Sequence, residues 1–405
     1  MSYRAVLRTP AVGRLFATAL LGRFSYGTVF LSLVLALTGT TGSYAVAGGA
    51  VALFGLASSL LSPLRADLID RFGARRALPP MATLYAVLLI ALAVATWRPG
   101  TPGPLLVTLS VAAGACTPPL GPVMRALLSD LLPDRQMLQR AYSLDSVCEE
   151  LLFVTGPLLA GLLAALANPA LGVALSAALV LIGTFAFVAS PAVRLAQTHQ
   201  AQSAPETSSW RQRMRGSGGL IQPVAVAAGV GMCLGALGLL MVAFAQSRQQ
   251  GAAVAWVEAA LSAGSAVGGL AYGAVSWKTS GRVRLPLLAA ALGLTLAGAG
   301  LSPHLYALAA MAAIAGLFIA PALTTAYLLA DESASPQHRT RAGAWVNTAF
   351  NTGSAIGTAA AGLLLGTLPL AWCFAIAALP ALLSAATIVR PVLARRPTPV
   401  EQPVH

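Results

Sequence analysis

Charge is scarce in this chain. Only 9% of its 405 residues are Asp, Glu, Lys or Arg, against about 25% in a soluble globular domain. A water-soluble fold so poor in charge would expose wide apolar patches, which excludes an aqueous globular protein. Acids are fewest, 12 against 25 bases, and Lys278 is the single lysine. The four cysteines (Cys116, Cys148, Cys233 and Cys373) lie inside apolar runs without CxxC spacing. They exclude a disulfide framework and a thiolate metal site. The four histidines fall in loops, linker or tail, so no metal centre and no cofactor is expected. HExxH and G-x-S-x-G are absent, which argues against an intramembrane enzyme, and no G-x-x-x-x-G-K-[ST] loop exists to draw on ATP. The net charge of +13 does not signal nucleic acid, because the bases sit in short loops between apolar runs and form no soluble stripe. Aromatics, at 6%, are too few to distinguish substrate classes.

What is abundant is apolar: 57% of the residues. They gather into twelve runs near the length of about 20 that a bilayer demands. The runs cover residues 14–38, 44–64, 77–96, 104–128, 142–167, 170–190, 221–245, 252–275, 285–302, 305–330, 342–366 and 370–390. The pattern predicts an all-α integral membrane protein with twelve transmembrane helices. The first run continues to about Thr38 without an A-x-A-like site, so it is read as a span and not a cleaved leader. On this parsing 22 of the 25 bases fall on one side. Arg98 and Arg248 lie opposite, and Arg23 is inside the first span. Basic loops resist translocation, so that side is expected to be cytoplasmic, with both termini there and the chain in the cell membrane.

The two halves repeat. At an offset of 201, Asp130 matches Asp331, Arg140-Ala141 matches Arg341-Ala342, Gly156 matches Gly357, and Gly161-Leu162-Leu163 matches Gly362-Leu363-Leu364. Same-order matches indicate a parallel repeat of six helices. The expected organisation is a six-helix bundle over 1–195, a polar linker over 196–219, and a second six-helix bundle with a short tail over 220–405.

Charge at membrane depth marks the candidate pathway. Arg23 lies roughly 14 Å along the first span and should face water or an acid. In span five Asp145 and Glu149 share one face at i,i+4, while Glu150 lies about 100° around with Ser146. Ser146 and Glu150 map by the repeat onto Asn347 and Asn351, two polar faces that suggest a shared cavity. Glu150 is thus the first candidate for proton or cation coupling, and Asn347 and Asn351 for hydrogen bonding a substrate. A static Arg23–Glu150 bridge and a coupling switch both remain open. Glu258, in the outer part of span eight, reads as a cavity acid, an external gate or an exposed interface residue. Tyr26 and Trp256 read as an aromatic wall or as packing and anchor residues.

The loop after span two reads Ala66-Asp67-Leu68-Ile69-Asp70-Arg71-Phe72-Gly73-Ala74-Arg75-Arg76. It resembles the G-x-L-a-D-R-x-G-R-R motif of the major facilitator superfamily. Gly273 to Lys278 is a decayed second copy without the acid. In span five Gly156-Pro157-Leu158-Leu159-Ala160-Gly161 is similar to the G-P-x-x-G-G element of that family's drug:proton antiporter branch. Antiporters of that branch carry an Arg midway along span four, and none stands between Ser110 and Gly114 here. The resemblance implies two pseudo-symmetric bundles that rock about a midplane cavity. It implies that Asp70 meets the N-terminus of span eleven near Arg341, with Arg125 as a second partner of a cytoplasmic gate that includes Asp67. Arg71, Arg75 and Arg76 would serve orientation and lipid phosphates, Gly73 a tight turn, and Gly156, Pro157 and Gly161 close packing or leak prevention. The function implied is proton-coupled efflux of a small amphipathic drug-like compound or secondary metabolite, by a monomer in a lipid bilayer. An importer of a sugar or organic acid, or a non-transporting sensor or lipid-binding protein, stays open.

Overall fold

In hydrocarbon every backbone N–H must find its acceptor within its own segment, so apolar runs of this length become helices. The computed structural model describes residues 3–9, 11–132, 134–194, 210–250 and 254–384, and these hold helices and no strand. The first half comprises α1 (Tyr3–Arg8), α2 (Val12–Thr41), α3 (Tyr44–Leu60), α4 (Ser62–Phe72), α5 (Ala74–Ala95), α6 (Gly103–Cys116), α7 (Leu120–Leu131), α8 (Arg135–Leu166) and α9 (Pro169–Val188). The second comprises α10 (Trp210–Ser247), α11 (Val254–Ala274), α12 (Gly281–Ala299), α13 (Leu305–Ser333), α14 (Arg339–Leu365) and α15 (Leu370–Ser384).

Among the described residues nine segments are long and apolar enough to cross a membrane, or ten if α3 and α4 form one bent span. The other two predicted spans correspond to α14, whose polar residues include Arg339, Arg341, Asn347 and Asn351, and to α15, which is described only to Ser384. The rest of predicted span twelve, the tail, and linker residues 196–209 lie outside the described residues. Residues 210–219, read above as linker, already belong to α10.

Two predicted spans are not single helices. Span two bends by 40° between α3 and α4, where Pro63 lies in the first turn of α4 and cannot extend the α3 ladder. Span four opens at Thr117-Pro118-Pro119, because two consecutive prolines lack N–H groups and push the preceding residue to an extended conformation. Its repeat partner α13 has only Pro321 and stays continuous. One side chain serves carbonyls at both breaks. Buried Arg65 donates to Gly114 O at 2.9 Å, to Ala115 O at 2.6 Å and to Ser58 O. Tyr26 donates its hydroxyl to Pro118 O.

The core shows where the halves meet. One apolar cluster, including Leu33, Phe54, Tyr85 and Leu89, is drawn from the first half alone. The larger cluster joins Leu15, Phe16, Leu78, Met124 and Tyr142 to Leu285, Ile319, Leu329 and Val346 of the second half. The first-half members of that shared core all come from the end carrying the basic loops, so the halves are sealed together there.

Gly27 of α2 and Gly156 of α8 let two backbones touch: a Cβ on Gly156 would collide with Gly27, and one on Gly27 with Leu152 O. Gly161, grouped with Gly156 in the sequence, has nothing within 4 Å of its would-be Cβ and makes no such approach. Gly156→Ala is expected to lower the thermal midpoint of purified protein and Gly161→Ala to leave it unchanged, since overpacking forces backbone shifts of about 1–3 kcal/mol. Equal midpoints for the two variants would remove the close-approach argument.

Candidate functional site

Four charged side chains meet inside the first half. Arg23 from α2 and Arg125 from α7 reach toward α8, whose Asp145 and Glu149 lie one turn apart on a single face. Asp145 is fully buried and bridges both arginines, pairing with Arg23 Nη1 and accepting from Arg125 Nε at 2.6 Å. Glu149 also bridges both. It accepts from Arg125 Nη2 at 2.7 Å, and it forms an ion pair with Arg23 Nη2 at 3.0 Å that lacks hydrogen-bond geometry. Two cations and two anions cancel, which is what allows them to remain charged away from water. Glu149, 31% exposed, is the member with an open side. The second half covers the cluster: the Tyr327 ring lies 3.7 Å beneath the Arg125 guanidinium, a cation–π contact. The Tyr327 hydroxyl points to Asn347 Oδ1 at 3.4 Å.

This arrangement corrects two expectations. Arg23 does not bridge to Glu150, because the 100° between consecutive helical residues turns Glu150 away from α2 and toward the second half. Ser265 Oγ of α11 donates to Glu150 Oε1 at 2.9 Å, and Ser146 meets Thr324 of α13 at 3.2 Å. Nor is Arg125 a partner of Asp70; its side chain is committed to Asp145 and Glu149. The sequence signal that could have found the cluster was the balance of two arginines and two i,i+4 acids at membrane depth.

A second set of contacts ties the halves at the basic end. Asp70 Oδ2 accepts the Arg341 backbone N–H at 3.0 Å, at an unsatisfied N–H of the first turn of α14. Asp67 pairs with Arg71 at 2.7 Å and with Arg341 at 3.0 Å. Gly73 ends α4 at φ 81°, a left-handed conformation that favours glycine. Beside this lies a lock absent from the expectations above. Arg339 pairs with Asp130 of the first half at 2.6 Å and with Asp331 of the second at 3.5 Å. Ser129 donates to Asp331 at 2.6 Å, and Arg135 pairs with Glu332 at 2.5 Å. The Asp130–Asp331 repeat match was its signal. Between this lock and the charged cluster, a void of about 10 Å³ bounded by Arg125, Ala126, Tyr327 and Arg339 has room for at most about one water. That end is shut.

The remaining candidates scatter. Tyr26 serves the break in span four. Asn351 is half-buried one turn from Asn347, while Glu258, Arg75 and Arg76 are exposed. Trp256 is 76% exposed and lines no wall. Pro157 lies within α8, which stays helical through it.

Comparison with known proteins adds the following. The family described as Major Facilitator Superfamily matches residues 15–287 and 224–404. No curated protein matches the sequence. Two solved structures share the shape: the human organic anion transporter MFSD10 (TETRAN), and a bacterial homologue of the iron transporter ferroportin in an outward-facing state. Each is 15% identical with a TM-score of 0.70 over 96% of this chain, and over 100% and 99% of its own. At that identity the likeness shows the fold alone.

Proposed function

The chain belongs to the major facilitator superfamily, and from that premise we propose that this secondary transporter exports a small amphipathic, cationic compound in exchange for protons. Membership makes it a multi-pass membrane transporter of a small molecule and not an enzyme. The finer reading is carried by one observation. Glu150 stands about 22 Å along α8, near the middle of the span, and has no cationic partner among the described residues; its contact is the Ser265 hydroxyl. The neighbouring acids are each shared by two arginines. A half-buried carboxylate at membrane depth without a counter-charge is relieved either by a proton or by a cation, and the two exclude one another. That competition is the requirement for antiport. Asn347, Asn351 and the open side of Glu149 would supply polar contacts to the same cargo. The alternative of Arg23 as a clamp for an imported organic anion is disfavoured, since Asp145 and Glu149 already occupy it.

In the proposed cycle the contacts of Asp70, Asp67, Asp130 and Asp331 close the cytoplasmic side, where the basic loops lie, and break when the bundles rock. Charge-assisted hydrogen bonds of about 1.5–3 kcal/mol each hold a state yet remain breakable. The test is uptake of fluorescent amphipathic cations into inverted membrane vesicles under an imposed pH gradient. Glu150→Gln is expected to abolish gradient-driven accumulation while leaving protein abundance unchanged. Accumulation that persists with its pH dependence intact would remove Glu150 from the coupling step.

A further inference from the structure

The two halves carry the same corner twice, and the second copy lacks its anion. In the first corner the Arg341 side chain, 40% exposed, is answered by Asp67, and Asp70 accepts from the Arg341 backbone N–H. By the 201-residue repeat Arg341 corresponds to Arg140 in the second turn of α8, and by the decayed loop motif Asp67 and Asp70 correspond to Ala274 and Trp277. The corner itself is preserved: Gln139 donates to Tyr272 O at 2.9 Å and to Val275 O at 3.0 Å, and Trp277 Nε1 donates to Tyr272 O at 3.1 Å. The carboxylate is not.

Arg140 is 4% exposed, and its Nη1 meets no acceptor among the described residues. Arg284, at the start of α12, is 9% exposed and its Nε and Nη1 likewise meet none. Its guanidinium lies 5.4 Å from the ring centres of both Tyr272 and Trp277, which are themselves 5.1 Å apart. The carboxylate in electrostatic reach of Arg284, Glu332, is taken by Arg135 at 2.5 Å. Two buried guanidinium groups with unused N–H donors are expensive to leave unanswered, and each costs more than an unpaired neutral donor.

We propose that this corner is a binding site for a phosphate anion, presented by a lipid headgroup or free in solution, which stands in for the carboxylate missing from the second repeat. The guanidinium fork matches phosphate oxygens, and phosphodiester headgroups lie at the depth where Trp277 and the basic loops meet the bilayer surface. The site is separate from the transport pathway and does not depend on what the protein carries.

The experiment is thermal unfolding of the purified full-length protein titrated with micelles containing phosphatidylglycerol, with micelles containing phosphatidylcholine, or with inorganic phosphate in lipid-free detergent. Phosphatidylglycerol is expected to raise the midpoint more than phosphatidylcholine, whose choline would face the arginines. The concentration for half-maximal protection is expected to rise about tenfold or more in Arg140→Gln and in Arg284→Gln. Protection by inorganic phosphate as well identifies a site open to water; protection by lipid alone identifies a headgroup site. Trp277→Asp restores an internal acid and is expected to abolish the anion dependence, which keeps the idea testable if an arginine variant fails to fold. No midpoint shift with any additive, or equal shifts in wild type and in all three variants, would overturn the proposal.

Discussion

Asp145→Asn is expected to destabilise the protein by about 3–5 kcal/mol, the range for removing one partner of a buried ion pair. The carboxylate is fully buried and answers both Arg23 and Arg125; without it two buried cations share Glu149 alone. The cluster then carries a net positive charge where water cannot screen it. Chemical unfolding of purified protein in detergent measures the loss directly. The prediction has a second part that distinguishes a charge cluster from ordinary packing. Arg23→Gln combined with Asp145→Asn restores electrical balance, and should cost less than the sum of the two single changes by about 1–3 kcal/mol. Strict additivity, or an Asp145→Asn loss below about 1 kcal/mol, would mean that the four groups do not act as a unit.

The second large effect concerns the lock. Arg339 holds an acid from each half, Asp130 and Asp331. Arg339→Gln removes both ion pairs and should shift the population toward states open at the basic end. A cysteine introduced at Ala126, beside the void between lock and cluster, reports that opening through its rate of alkylation. With about 1.5–3 kcal/mol at stake, the rate should rise at least about tenfold. Arg75→Gln is the control, since Arg75 is exposed and touches neither half of the lock. Asp70→Asn should act in the same direction through the α14 N-terminus. An unchanged rate in Arg339→Gln would show that the apolar shared core, and not these ion pairs, closes that end.

Both predictions rest on contacts that the linear pattern could suggest only in part. The position of Asp70 against α14 was implied by the resemblance of the loop motif to a known family and not by the local sequence itself. Asp130 and Asp331 were visible as a repeat match, yet nothing in the repeat says that a third residue, Arg339, lies between them. The repeat drew attention to the Ser146–Glu150 face because Asn347 and Asn351 are polar at the equivalent positions, but it could not say which face would receive Arg23. Arg23 instead chose the other face, which has no polar counterpart at Val346 and Phe350. Arg65 looked like one more basic loop residue, but it turns inward to serve carbonyls at two helix breaks. No periodicity encodes that. Pro118 and Pro119 open span four, yet the sequence does not say which side chains satisfy the freed backbone.

The amino-acid order alone determined that this is a helical membrane protein of two repeated halves, with its bases gathered on one side. These properties follow from matching each short segment to its solvent, lipid for the apolar runs and water for the charged loops, and that matching needs no knowledge of neighbours. Only the tertiary structure decided which acid neutralises which arginine, where the halves are sealed, and which buried arginines keep unused N–H donors among the described residues. Charges buried in a low dielectric are governed by distances of a few ångströms, and those distances are set by helices that lie a hundred or more residues apart in the chain.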